Sequence, residues 1–137
     1  MRRAALLAAI VVAASSAMPL SHATAQTRTY VTNDCLRVKI MPSYIMFTCA
    51  DGGFSMTQGE WTTWHRNRAV GSAVFHMNDC TPSCAGGTFH TMRVQVVLHR
   101  RTRCPDLRRR VFTRATITLD GRLFGRHRYR AQLPCPA

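Results

Sequence analysis

An all-β fold is predicted for this chain, a single small disulfide-stabilised domain built as a β-sandwich or open barrel of about seven to eight short strands. Three observations predict it. Apolar and polar residues alternate with a period of two in several segments, while helical periodicity is weak beyond the first residues. Gly, Pro and Asp turn signals separate those segments. The chain carries 6 cysteines, an even number in a small protein, which points to a disulfide framework.

Residues 1–25 read as a secretory signal peptide. Met1-Arg2-Arg3 is a short basic start, Ala4 to Ala14 is almost wholly apolar, and the segment ends in Ala23-Thr24-Ala25, an A-x-A cleavage site. The apolar run is too short to span a bilayer as a helix. Cleavage after Ala25 takes 25 residues from 137 and leaves 112, residues 26–137, as one β-rich domain. The expected location is secreted, extracellular or associated with the cell envelope.

Gln26 to Asp34 is polar and reads as a loose lead-in. Leu36-Arg37-Val38-Lys39-Ile40 alternates, which sets Leu36, Val38 and Ile40 inward on a half-buried strand. Pro42-Ser43 interrupts it, Tyr44 to Cys49 is a run of β-formers, and Asp51-Gly52-Gly53 marks a turn. Phe54 to Thr57 is a further short strand. Trp61 and Trp64 lie three apart, a spacing that shares a face on a helical turn but not on a regular strand. The segment from Gln58 to Arg68 is therefore open between a strand ending in a turn and a short helical turn.

Ala69 to Met77 is a strand whose small residues, Ala69, Gly71 and Ala73, leave room on one side for another backbone or an aromatic ring. Asn78 to Gly87 holds Cys80, Pro82, Cys84 and a glycine pair, and reads as a rigidified connection between two core strands. Thr88 to Arg100 is the longest strand, with Met92, Val94, Val96 and Leu98 on one side and Arg93, Gln95, Val97 and His99 on the other. Arg100 to Arg110 is a basic loop. Val111 to Leu119 alternates again, and Asp120-Gly121 favours a tight hairpin turn into Arg122-Leu123-Phe124, with Gly125 as a bulge or bend. In the last strand His127, Tyr129, Ala131 and Leu133 alternate with Arg126, Arg128, Arg130 and Gln132, which sets an arginine row on one sheet face.

Spacing does not decide among the available cysteine pairings. The preferred set is Cys80–Cys84 as a local loop, Cys35–Cys49 and Cys104–Cys135, the second of these assuming that the strands between its cysteines form a hairpin. Cys80 and Cys84 lack a second close Cys or His pair, so a structural bridge is preferred to zinc. Their x3 spacing between β signals also departs from the Cys-x-x-Cys of redox sites at helix N-termini.

Charge marks the surface. The chain has 19 Lys+Arg against 6 Asp+Glu, a formal net charge of +13. Between Arg100 and Arg130 only Asp106 and Asp120 oppose a dense set of arginines. Arg100, Arg101, Arg103, Arg108, Arg109, Arg110, Arg126, Arg128 and Arg130 are the candidate anion-binding residues. Such a field draws anionic polymers and membrane or cell-wall surfaces. The aromatic residues among them, Phe112, Phe124 and Tyr129, are too few to build a base-stacking platform, which argues against single-stranded nucleic acid.

Catalytic patterns are thin. Ser55, Ser72 and Ser83 do not sit in a Gly-x-Ser-x-Gly elbow. Several carboxylates already have turn readings, and the histidines lack ligand spacing. The sharpest enzyme constellation is Glu60, Asp79, His76 and His90, with the two histidines flanking the cysteine loop. No catalytic residue, cofactor or metal is assigned. The two indoles read as core or rim anchors, with a carbohydrate-stacking platform or a partner contact as the alternative.

Trp61-Thr62-Thr63-Trp64, Ala69-x-Gly71-x-Ala73, Asn78-Asp79-Cys80-Thr81-Pro82-Ser83-Cys84-Ala85-x-Gly87-x-Phe89-His90 and Val94-x-Val96-x-Leu98, with Thr48-Cys49-Ala50-Asp51-Gly52 and Phe112-Thr113-Arg114, resemble a group of small secreted proteins and lipoproteins of mycobacteria and related actinobacteria. The resemblance covers residues 42 to 119. It implies export and β-architecture and carries no catalytic residues. Cys35, Cys104, Cys135 and the arginine-rich C-terminal end depart from many members of the group.

These readings converge on an exported, non-enzymatic module that binds an anionic envelope or extracellular polymer through its arginines. The alternatives are an exported hydrolase with an acid or histidine site, and a structural or interaction protein of the envelope.

Overall fold

A computed structural model describes residues 28–136, so the signal-peptide reading lies outside the described residues. The fold is all-β. Eight strands run in chain order: β1 (Val31–Thr32), β2 (Val38–Lys39), β3 (Ile45–Met46), β4 (Phe54–Trp64), β5 (Ala69–Asn78), β6 (Phe89–Arg103), β7 (Arg110–Leu123) and β8 (Arg126–Gln132). β3 to β8 form a six-stranded antiparallel meander, each strand paired with its sequence neighbour, and β1 and β2 form a separate pair. The large sheet is curled into a half-barrel, which selects the open barrel over the sandwich. β4 to β7 are 10 to 15 residues long, and β1 to β3 hold two residues each. Register shifts let β4 and β7 run on through irregular patterning, whereas β6 pairs with both neighbours without one.

The inside of the curl is the core. Ala69, Ala73 and Phe75 of β5 face Val94, Val96 and Leu98 of β6 and Ala115, Ile117 and Leu119 of β7. An aromatic file, Phe47, Phe54, Phe75 and Tyr129, crosses it with ring centroids 4.7 to 5.7 Å apart. Tyr129 keeps its hydroxyl satisfied there by donating to the Leu123 carbonyl at 2.7 Å.

The tryptophan segment is strand, not helical turn. A register shift between Trp61 and Thr63 inserts Thr62 as an extra residue, so Trp61 faces Gly71 and Trp64 faces Ala69 on the same side. The rings meet edge to face at 4.7 Å. Gly71 is required beside them. A Cβ there would overlap the Glu60 carbonyl oxygen and stand 3.0 Å from Trp61 Cε3. Gly71→Ala should therefore destabilise the protein by about 1–3 kcal/mol, read as a lowered urea midpoint at unchanged slope.

Three expectations are corrected. The lead-in is not loose over residues 29–33: Thr29, Val31, Thr32 and Asn33 are buried. Tyr30 bridges Val111 of β7 beyond the end of β8, accepting from the Phe112 N–H and donating to the Arg110 carbonyl, both at 2.9 Å. Thr29 Oγ1 donates to the Arg66 carbonyl at 2.6 Å and Thr32 Oγ1 to the Pro134 carbonyl at 2.8 Å. The two threonines are buried here because backbone carbonyls accept from their hydroxyls. Leu36 is not inward but exposed, since β2 spans two residues and its partner β1 does not reach that position. Asp120-Gly121 is not the hairpin turn. β7 runs through it, and Phe124 and Gly125, both at positive φ, make the two-residue turn that opposes Leu123 to Arg126.

All three disulfides pair as preferred: Cys35–Cys49, Cys80–Cys84 and Cys104–Cys135. Such a set is consistent with an oxidising compartment. The hairpin assumed for the first pair is absent, because β2 pairs β1 and β3 pairs β4.

Candidate anion-binding face

The outer side of β6, β7 and β8 is a polar lattice. Because Leu98, Ile117 and Tyr129 point into the core, their alternates point out. Register then aligns Gln95 with Thr118 and Arg128, Val97 with Thr116 and Arg130, and His99 with Arg114 and Gln132. Two open recesses lie on it. One, of about 560 Å³, is lined by His99, Arg100, Arg114, Thr116, Arg130 and Gln132 among others. The other, of about 440 Å³, adds Arg68, Gln95, Thr118 and Arg128 and shares His99 and Thr116 with the first. The face thus collects guanidinium groups from the β4–β5 turn, β6, β7 and β8.

Local structure aims them. Arg100 sits at φ 55°, which breaks the alternation after His99, so consecutive residues line the recess. Its carbonyl accepts from Thr113 Oγ1 at 2.9 Å. Arg114 Nη1 donates to Gln132 Oε1 at 2.8 Å, which steadies one donor across the strand pair. The ion pairs among the described residues are Arg37–Asp34 and His90–Asp79, so none of these five arginines is neutralised by a carboxylate. His99 Nε2 lies 3.1 Å from Thr116 Oγ1. Burial, and then the charges of Arg100, Arg68, Arg114 and Arg130, hold its pKa below the ordinary histidine value.

The sequence-predicted arginines divide. Arg100, Arg128 and Arg130 reach the recesses. Arg126 is exposed beside the β7–β8 turn, and Arg103 and Arg108 are exposed at the β6–β7 connection. Arg109 lies over the Tyr30 ring at 4.7 Å. Arg110 opposes Arg103 across that connection. Arg101 is half-buried, with Nη1 sealed from solvent and without an acceptor among the described residues. Arg68, His99 and Arg114 complete the site beyond the arginines that the sequence alone singles out. The period of two placed His99 outward and could have placed Arg114 there too, but nothing in the sequence connects Arg68 to β7 or β8.

The enzyme constellation separates. His90 meets Asp79 at 3.1 Å, but His76 is hydrogen-bonded to Thr57 Oγ1 at 2.8 Å, and Glu60 opposes Ser72. His90 opposes Met77 and His76 opposes Thr91, so the two histidines lie on opposite faces. Among the described residues no group of three His, Cys, Asp or Glu could hold a metal ion. Asp79 instead folds the cysteine loop. It accepts from the Thr88 and Thr81 N–H groups and from His90, and these bonds, the Thr88 one foremost, pull its pKa to about 2. Because the folded value is depressed, this contribution is full above the ordinary carboxylate range and is lost as pH falls through about 2. Urea midpoints measured between pH 5 and pH 2 should fall for the wild type and fall less for D79N. Equal slopes would show that Asp79 is not a source of the acid sensitivity.

Both indoles are half-buried and donate inward, Trp61 to the Pro42 carbonyl at 2.9 Å and Trp64 to the Thr29 carbonyl at 2.8 Å. They anchor the chain that passes over them, and neither N–H is left to meet a sugar.

No protein-family model matches the chain, and no curated protein and no solved structure matches it.

Proposed function

We propose that this protein is an exported binding module that holds an anionic polymer of the cell envelope or extracellular space on the outer face of β6 to β8. One observation carries the reading: Arg68, Arg100, Arg114, Arg128 and Arg130 come from four elements to two adjoining recesses that no carboxylate lines. Salt-exposed arginines scattered for solubility would not need a shared concavity, and a field of one sign focused in a cleft concentrates counter-ions there. The leader-like residues 1–25 and the disulfides support export, and the likeness to small secreted actinobacterial proteins accords with it.

A salt titration tests the proposal. Binding to a sulfated or phosphorylated polymer should weaken linearly on a log–log plot with a slope of about −3 to −5 if some five contacts release counter-ions. Binding that is absent at low salt, or that does not change between low and high salt, would sink the electrostatic reading.

A further inference from the structure

We propose that the recess over His99 seats a tetrahedral oxyanion ester, a sulfate or phosphate carried on a polymer, and that His99 takes up a proton from solvent as this group binds. The inference rests on the binding role proposed above and goes on to name the group that is bound.

His99 is common to both recesses. The charged groups lining them on every side are Arg68 from the β4–β5 turn, Arg100 from β6, Arg114 from β7, and Arg128 and Arg130 from β8. All are cations. Three elements each bring an arginine to the larger recess, Arg100, Arg114 and Arg130, and three cationic donors suit an anion with three outward oxygens better than a planar carboxylate, which two donors satisfy. The remaining polar lining is Thr116, Thr118, Gln95 and Gln132, hydroxyls and amides suited to the sugar or ester oxygens of a chain. No Phe, Tyr or Trp lines either recess, so stacked bases have no broad platform there.

Without a ligand, the surrounding arginines and partial burial disfavour a charge on His99. A bound oxyanion reverses that balance, because it neutralises the neighbours and attracts the imidazolium. Once protonated, both ring nitrogens donate, one toward Thr116 Oγ1 at 3.1 Å and the other free for the ligand. By linkage, a ligand that raises the His99 pKa must bind more tightly as pH falls.

The experiment measures binding of sulfated dextran, phosphorylated dextran and polygalacturonate at pH 7.5 and pH 5.5 to the wild type and to H99Q. The His99 ring is also titrated by NMR in the free and bound wild-type protein. The expected result is a gain of several-fold on acidification for the sulfated or the phosphorylated polymer, up to about tenfold per unit by which binding raises the His99 pKa. The polymer with the larger gain identifies the ester. H99Q loses the donor that protonation supplies, so its binding of the sulfated polymer should change by less than about twofold between the two pH values. An unchanged gain in H99Q, an identical His99 titration with and without polymer, or polygalacturonate binding as tightly as both esters overturns this inference and leaves the anion-binding role standing. Absence of binding by every polymer at low salt overturns both.

Discussion

Serine at both Cys104 and Cys135 lowers the unfolding free energy by about 3–4 kcal/mol and the melting temperature by about 15 °C. The bridge spans 31 residues and ties the end of β6 to the chain after β8, so its loss frees β7 and β8 together in the unfolded ensemble. Cys104 is 2% exposed, so serine there also buries a hydroxyl. Serine at Cys80 and Cys84 should cost less, because that loop has a sequence separation of only 4 and its geometry is also held by Asn78 and Asp79. Thermal melts of the two double variants under non-reducing conditions compare them. Equal losses would refute the ranking by loop length.

Glutamine at Arg100, Arg114, Arg128 and Arg130 together weakens binding of a sulfated or phosphorylated polymer by about a thousandfold. The figure takes about 1 kcal/mol for each basic side chain near a polyanionic surface, which over four residues is about three decades in the dissociation constant. The salt slope should drop by about four units as well. The control removes as much charge elsewhere: glutamine at Arg103, Arg108, Arg109 and Arg126, none of which lines either recess. That variant should lose less than about tenfold. Matching losses in the two variants would mean that net charge, and not the recess, governs binding.

Much of the fold could be read from local pattern. The alternation in Val94, Val96 and Leu98 and in Ala115, Ile117 and Leu119 marked two core strands, because a strand with one dry face must repeat every two residues. The pattern failed where one residue was added or a left-handed residue intervened. Thr62 brings Trp61 and Trp64 to one face, and no propensity signals that insertion. Asp120-Gly121 carries the stronger hairpin signal, yet the chain turns at Phe124-Gly125, so pairing with β8 outweighed turn propensity. Residues 29–33 looked loose because their composition is polar, and their hydroxyls are satisfied by carbonyls far along the chain. The site was half legible for the same reason. Alternation set Arg128 and Arg130 on one face, but the approach of Arg68 and Arg100 depends on a turn and a backbone torsion that only the assembled sheet defines.

The segment that lies across Trp64 has a kinetic consequence. Every pairing from β3 to β8 joins sequence neighbours and closes a short span. Thr29 and Thr32 close spans of 37 and 102 residues to Arg66 and Pro134. Chain entropy opposes long closures more, and contacts distant in sequence form late. The meander therefore assembles first, and the N-terminal strap seats last, on a surface that β4, β7 and the C-terminal tail must already have completed. Until it does, the Trp64 N–H lacks its acceptor, and the Arg110 carbonyl and the Phe112 N–H lack their Tyr30 partner. The strap should act as the latch of the domain, with amide protons of residues 30–33 exchanging before those of β5 and β6.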